Sequence, residues 1–539
     1  MIKQKYILLI VILLGLALRL ININTNPISL YGDELTITLD AYSLLKTGQD
    51  QLGNFLPLTF PMGAGRPAGY VYGSVPFIAI FGPTALGVRM LSVLSGVGII
   101  ILLYLLGKKV LDKKVGLAAA VVAAVSPWDI LLSRGGFEAH FALFLVLLGT
   151  YLFLQAKQKP VFYLFSFLSF GLTLHTYPTY KVSLLLFLPL LFWYQGGIRK
   201  FVKEGSKYFI SGVAILIILG VLILSQSFIG GSEKRFSDIN IFSKATLNAS
   251  IEQKINLERQ TSQLPKQLVK FFHNKPVEYT KVFIENYLQN FSLDFLILHG
   301  DRNPRHNMAT MGGLYAVELI LIMTFVLAFW QKTRKLLLFL ILWIILSPIP
   351  TAIVDLPHAL RSSFMLPPLI ILSAGGLITV MKLRKKRFFY LVVIFFIIQF
   401  IFFGQKLFFL APYAYSAFWS YPAKVASEMV SVNKEKYDFI VLSNRINDIE
   451  FAYPVYSRIE PKILISQNQN KTMLSGNPVR KIENVYFGSI EEDQLMKFIN
   501  NLPGSVLYIG SRSDKRHLEN YEIVTDFNNE EILIIKRKP

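Results

Sequence analysis

The sequence predicts an α-helical polytopic membrane protein of about eleven transmembrane helices followed by a small C-terminal α/β soluble domain. Of the 539 residues, 53% are hydrophobic and 14% aromatic, a composition that soluble domains do not carry. Apolar runs of about 17 to 22 residues recur along the first three quarters of the chain, each able to cross a hydrocarbon layer of about 30 Å. Beyond residue 425 the composition turns mixed, with charged and apolar residues interleaved. The formal net charge of +21 would suggest nucleic acid in a soluble protein, but much of it sits in short loops between spans, so no nucleic-acid partner is expected. The absence of cysteine excludes disulfides, thiolate metal sites and a cysteine nucleophile.

The first apolar run, 6–22, follows a short basic N-terminus and lacks a small-residue cleavage site, so it reads as a retained anchor helix. Next comes Tyr31-Gly32-Asp33-Glu34, the start of a short helix. The steps Asp33, Ile37, Asp40, Leu44 place both aspartates on one face, which describes an acidic helix at a membrane surface, with Asp33 able to cap it. The run Pro61-Met62-Gly63-Ala64-Gly65-Arg66-Pro67-Ala68-Gly69-Tyr70 suits backbone folded against a membrane face. The remaining expected spans are 85–107, 115–133, 139–156, 161–175, 181–194, 208–228, 313–330, 336–354, 364–381 and 388–404.

Lysine and arginine gather in alternate connections: Lys108 to Lys114, Lys157 and Lys159, Arg199 to Lys207, Lys332 to Lys335, and Lys382 to Arg387. If that side is cytoplasmic, the N-terminus is inside and the C-terminus outside. The outward segments are then the long loops 23–84 and 229–312 and the short turns around Arg134-Gly135-Gly136-Phe137-Glu138, His175 and Asp355 to Arg361. Charge within the bilayer costs about 2.5 to 3.5 kcal/mol on insertion scales, and here the ionisable residues cluster at outer span ends and outward loops instead: Asp33, Glu34, Arg66, Arg89, Asp129, Arg134, Glu138, His140, His175, Asp301, His306, His358 and Arg361. Chemistry at the outer interface fits this distribution better than an ion path.

In the C-terminal segment 425–539, the runs Tyr437 to Leu442, Val485 to Phe487, Val506 to Ile509 and Glu531 to Ile535 read as strands and Glu491 to Asn500 as a helix, with no catalytic motif.

The Asp-Glu pair in the first outward loop, the Gly/Pro/aromatic segment after it, the Gly87-Val88-Arg89-Met90-Leu91-Ser92 entry to the second span and an arginine loop before a Pro-rich span start together resemble the GT-C glycosyltransferases. Within them the resemblance is to the protein mannosyltransferase-like branch with its bacterial relatives, over residues 1–405. It implies a cell-envelope enzyme, a hexosyl- or pentosyltransferase, that moves a sugar from a polyprenyl-phosphate donor to a protein, glycan or lipid acceptor. On that basis Asp33 is expected to be the base that activates the acceptor hydroxyl in an inverting displacement. Glu34 and Glu138 are its acidic companions.

Arg361 is expected to hold the lipid phosphate. His358, Arg89, Asp301, Asn303 and His306 are further candidates for substrate contact. No pair of residues shows a metal-ligand spacing, so no metal ligand is assigned, although a divalent cation remains a candidate cofactor. The alternative function is a transporter or flippase of lipid-linked saccharides. That reading calls for broken helices at mid-membrane depth and inverted repeats, of which the sequence gives no sign.

Overall fold

The computed structural model describes residues 2–539 apart from 61, 63–64, 198–200, 202–206, 231–239, 309, 384–385 and 468–470. Pro61, Gly63 and Ala64 of the Gly/Pro run, and Arg199, Lys200, Lys203, Arg384 and Lys385 of the basic connections, lie outside the described residues. The chain opens with α1 (Ile2–Leu20), α2 (Gly32–Thr47), α3 (Gly69–Phe81), α4 (Ala85–Val110), α5 (Lys113–Val125), α6 (Pro127–Ser133) and α7 (Glu138–Gln155).

Helix covers all eleven apolar runs. By length and composition, five helices among the described residues can cross a bilayer: Ala85–Val110, Glu138–Gln155, Arg334–Val354, Ala359–Met381 and Lys386–Ala414. A sixth span results if α5 and α6, bent by 57°, count as one. The protein is thus a multi-pass membrane protein, but helix length alone does not reach the expected count of eleven, because several of the apolar helices are short.

The bend between α5 and α6 has a local cause. Pro127 has no N–H to give the Ala123 carbonyl, and Arg19, from the end of α1, supplies the missing donors. Its guanidinium donates to the carbonyls of Ala123 and Ala124, both at 3.1 Å, and pairs with Asp129 at 2.5 Å. His140 on α7 holds the other Asp129 oxygen at 2.8 Å. A second buried arginine, Arg134, donates to the carbonyls of Leu18 at 3.0 Å, Ile21 at 2.8 Å and Asn26 at 2.7 Å, satisfying acceptors that the end of α1 leaves open. These buried groups lock three helices together.

Helix α2 carries its acids in the first turn, where the helix dipole favours negative charge, and stops at Gly48, whose φ of +72° suits only glycine readily. The expectation of an amphipathic helix lying on a membrane surface is corrected here. Asp40 is fully buried, and α2 is enclosed almost all round. The cause lies far away in sequence: α2 is sandwiched between α3 and the helices Ile449–Tyr456 and Pro461–Gln467 of the C-terminal region. Leu35, Ile37 and Leu39 share one apolar core with Val430, Ile449 and Tyr453. Gly32 lies so close to Asp448 that an added Cβ would sit 2.7 Å from its Oδ1.

The C-terminal region is a seven-stranded sheet with helices on both faces. Its strands, after the short pair β1 (Thr59–Phe60) and β2 (Arg66–Pro67), are β3 (Phe439–Ser443), β4 (Lys471–Leu474), β5 (Asn477–Ile482), β6 (Val485–Gly488), β7 (Val506–Ser511), β8 (Glu522–Thr525) and β9 (Glu531–Lys538). They are ordered β4-β5-β6-β3-β7-β9-β8, with β3 parallel to β6 and β7 and the remaining pairs antiparallel. Alternation along the central strands divides the two faces: Ile440, Leu442, Leu507 and Ile509 face the core shared with α2, while Val441, Val506 and Tyr508 face the helix Leu495–Asn501.

At the other end of the bundle the basic connections converge. Lys109, Lys157, Gln158, Tyr194 and Gln195 line a groove of about 430 Å³, and the Lys335 ammonium lies 5.8 Å from the Tyr194 ring centre.

Candidate active site

Successive helical residues point about 100° apart, so Asp33 and Glu34 at the start of α2 take different surroundings. Glu34 turns inward and is fully buried. It receives the Arg89 guanidinium in a two-pronged contact, Nε to Oε1 at 2.8 Å and Nη2 to Oε2 at 2.9 Å. The Gly136 N–H donates to Oε1 at 2.8 Å. Arg89, itself fully buried, spends its other donors on the carbonyls of Ile23, Pro27 and Ser29 at 2.6 to 3.0 Å. Neither group of this pair has an exposed edge.

Asp33 turns outward and is 46% exposed. Its Oδ1 accepts from Arg66 Nη2 at 2.9 Å. Arg66 Nε meets Glu138 Oε1 at 2.7 Å, and Nη1 donates to Thr36 Oγ1 at 2.7 Å. One guanidinium therefore bridges two carboxylates from the beginnings of α2 and α7. Burial alone would lower the Arg66 pKa, but Glu138 and Asp33 beside it raise it above its usual value, so it stays a cation. Tyr31 stands next to this group; burial first and then the charges of Asp33, Glu34 and Glu138 push its phenol well above the usual value, and it remains neutral.

A second polar group forms where the end of the long loop meets the turn before Ala359. Asp301 Oδ2 accepts the Ala359 N–H at 2.6 Å and lies 3.2 Å from His306 Nδ1 and 3.8 Å from His358 Nδ1. Its Oδ1 accepts the Asn303 N–H at 2.8 Å. Burial would raise the Asp301 pKa, but the His306 hydrogen bond, the electrostatic pull of the two neighbouring imidazoles and the Asn303 N–H outweigh it and bring the carboxyl down to about 2. His358 is driven well below its ordinary value by burial and by the neighbouring His306, against the pull of Asp301, and is neutral at pH 7. Arg361, half-buried one turn further on, has no ion-pair partner among the described residues.

Aromatic rings join the two groups. The Arg305 guanidinium sits 5.3 Å from the Tyr31 ring centre, Tyr31 is 6.0 Å from Phe137, and Phe137 is 5.5 Å from His306. Two of the expected acids, Asp33 and Glu138, thus meet through Arg66. Asp301, His306, His358 and Arg361 assemble beside them. Glu34 and Arg89 form the enclosed pair behind them, and the Asn303 side chain is used in its own turn, accepting the Arg305 N–H at 3.1 Å. The sequence signal for Arg66 is an arginine within a Gly/Pro run soon after an acidic pair.

Residues 68–224 match the family model of dolichyl-phosphate-mannose-protein mannosyltransferases. No curated protein matches the sequence. Among solved structures, the chain is similar to ArnT from Cupriavidus metallidurans bound to undecaprenyl phosphate, with a TM-score of 0.54, 10% identity and coverage of 99% of this chain and 97% of that one. It is also similar to the Archaeoglobus fulgidus oligosaccharyltransferase in complex with Zn and sulfate, with a TM-score of 0.50, 15% identity and coverage of 83% of this chain and 61% of that one. At these identities the structural likeness speaks for the fold. The chain is a multi-pass membrane protein with the GT-C fold, and its segment 68–224 matches the family model of dolichyl-phosphate-mannose-protein mannosyltransferases.

Proposed function

We propose that this protein transfers a sugar from a polyprenyl-phosphate-linked donor to an acceptor hydroxyl at the outer membrane face, with inversion at the anomeric carbon. The observation that carries the proposal is the half-exposed Asp33 carboxylate, held by Arg66 against Glu138. The family match over 68–224 and the fold shared with a protein bound to undecaprenyl phosphate support a lipid-phosphate donor.

In this reading the acceptor oxygen attacks the anomeric carbon as Asp33 takes its proton, and the bond from that carbon to the phosphate oxygen breaks. The leaving group is polyprenyl phosphate, which keeps the electron pair and needs no general acid. Arg361 faces the charge that develops on the phosphate oxygens. Glu138 orients the acceptor, and Arg66 keeps Asp33 aimed. Glu34 and Arg89 position the start of α2 without touching substrate. Residues 1–405 form the transferase domain and 425–539 an extracytoplasmic domain over it, with the N-terminus cytoplasmic.

The test is transfer in proteoliposomes from a polyprenyl-phosphate sugar to a panel of protein, glycan and lipid acceptors, with the product's anomeric configuration read by NMR. Inverted product formed only in the presence of active protein supports the proposal. Retained configuration, or movement of intact lipid-linked saccharide across the bilayer with no transfer, refutes it.

A further inference from the structure

We propose that Asp301, His306 and His358 form a binding site for a divalent transition-metal ion of the zinc type. The three residues have no side chain in common with the Asp33–Arg66–Glu138 group, and the proposal does not rest on the transfer reaction. One donor atom from each lies within 4.8 Å of the other two. Asp301 Oδ2 is 3.2 Å from His306 Nδ1 and 3.8 Å from His358 Nδ1. An ion with tetrahedral ligands at about 2.0 to 2.2 Å places neighbouring donors roughly 3.3 Å apart, so these two edges need shifts of about 0.5 Å or less.

A hydrogen-bonded His–Asp pair accounts for His306 and Asp301 but leaves His358 without a purpose. Its Nδ1 is buried and has no hydrogen-bond partner among the described residues. A buried polar nitrogen without a partner is costly. The carboxylate is oriented by the N–H groups of Ala359 and Asn303, the kind of outer support that metal-binding side chains usually have. Two imidazoles and one carboxylate favour zinc over magnesium or calcium, which take oxygen ligands. Three protein ligands leave a fourth position for water. Such an ion would tie the long loop, through 301 and 306, to the turn at 358.

The experiment uses the full-length protein in detergent, stripped with a chelator and dialysed against ZnCl₂, with bound metal counted by mass spectrometry and the melting temperature recorded. About one zinc per chain and a raised melting temperature are expected. His306→Ala, His358→Ala and Asp301→Asn should each weaken binding at least tenfold, while His273→Ala, at a histidine paired with Glu258, leaves it unchanged. Cobalt(II) loading of the unaltered protein should give the intense visible bands of tetrahedral coordination, a readout that survives any folding defect in the variants. Zinc binding below about a tenth of an equivalent, undiminished binding in the double variant His306→Ala/His358→Ala, or a purely octahedral cobalt spectrum overturns the proposal.

Discussion

Two acid–arginine contacts start from neighbouring residues of one helix and end in opposite circumstances. Glu34 and Arg89 are fully buried and satisfied on every side, whereas Asp33 is 46% exposed and shares Arg66 with Glu138. A buried charge pair with complete hydrogen bonding fixes geometry and has nothing to offer a substrate. A carboxylate held on one oxygen and open on the other can take a proton. Adjacent residues can therefore divide positioning from chemistry, and the division follows from the helical turn between them.

The comparison breaks most clearly at Asp33. Asp33→Asn should lower the transfer rate by about 10² to 10⁴, the usual contribution of a general base, with little change in melting temperature. Its neighbour should behave in the reverse way. Glu34→Ala or Arg89→Ala strands a buried charge and should cost about 3 to 5 kcal/mol in stability, seen as a large fall in melting temperature.

Arg361→Met sharpens the functional side. It should lower kcat/KM for the lipid-phosphate donor by about 10- to 100-fold, the loss of one hydrogen bond to a charged group, and leave stability unchanged. Arg66→Gln removes the group that joins Asp33 to Glu138, so the base is no longer held in place and the transfer rate should fall by up to about 10²-fold.

The smallest effect concerns pH and Asp40, further along the same helix. Burial pushes its carboxyl up to about 7, against the Gln51 N–H at 3.2 Å and the charge of Arg66. The folded state therefore holds a proton that the unfolded chain has released, and the contribution of this group to stability falls as pH rises from about 4 to 7. Asp40→Asn should flatten that slope and raise the melting temperature at pH 8.

Much of the architecture was legible in the sequence because bilayer length imposes a coarse pattern. Apolar runs became helices, and the runs at Val485, Val506 and Glu531 became strands. Strands β4 and β5 escaped because Lys, Asn, Pro and Arg interrupt their apolar residues, and β8 because it is only four residues long; β4 and β8 lie at the sheet edges. Arg19 escaped because it lies within an apolar run, and its role depends on carbonyls freed by a proline more than a hundred residues away. Asp33, Glu138 and Arg66 each stand out in their own loops, but that Arg66 joins the two acids depends on contacts between three separate segments of the chain. The burial of α2 by Ile449 and Tyr453 depends on contacts about four hundred residues apart, which no local periodicity records.

The most direct test of the central claim sets Asp33→Asn beside Glu34→Gln in one preparation, measuring transfer rate and melting temperature for each. The account predicts a stable but inactive Asp33 variant, and a Glu34 variant whose melting temperature falls while its correctly folded fraction still transfers sugar. A stable Asp33→Asn protein with undiminished turnover would contradict it.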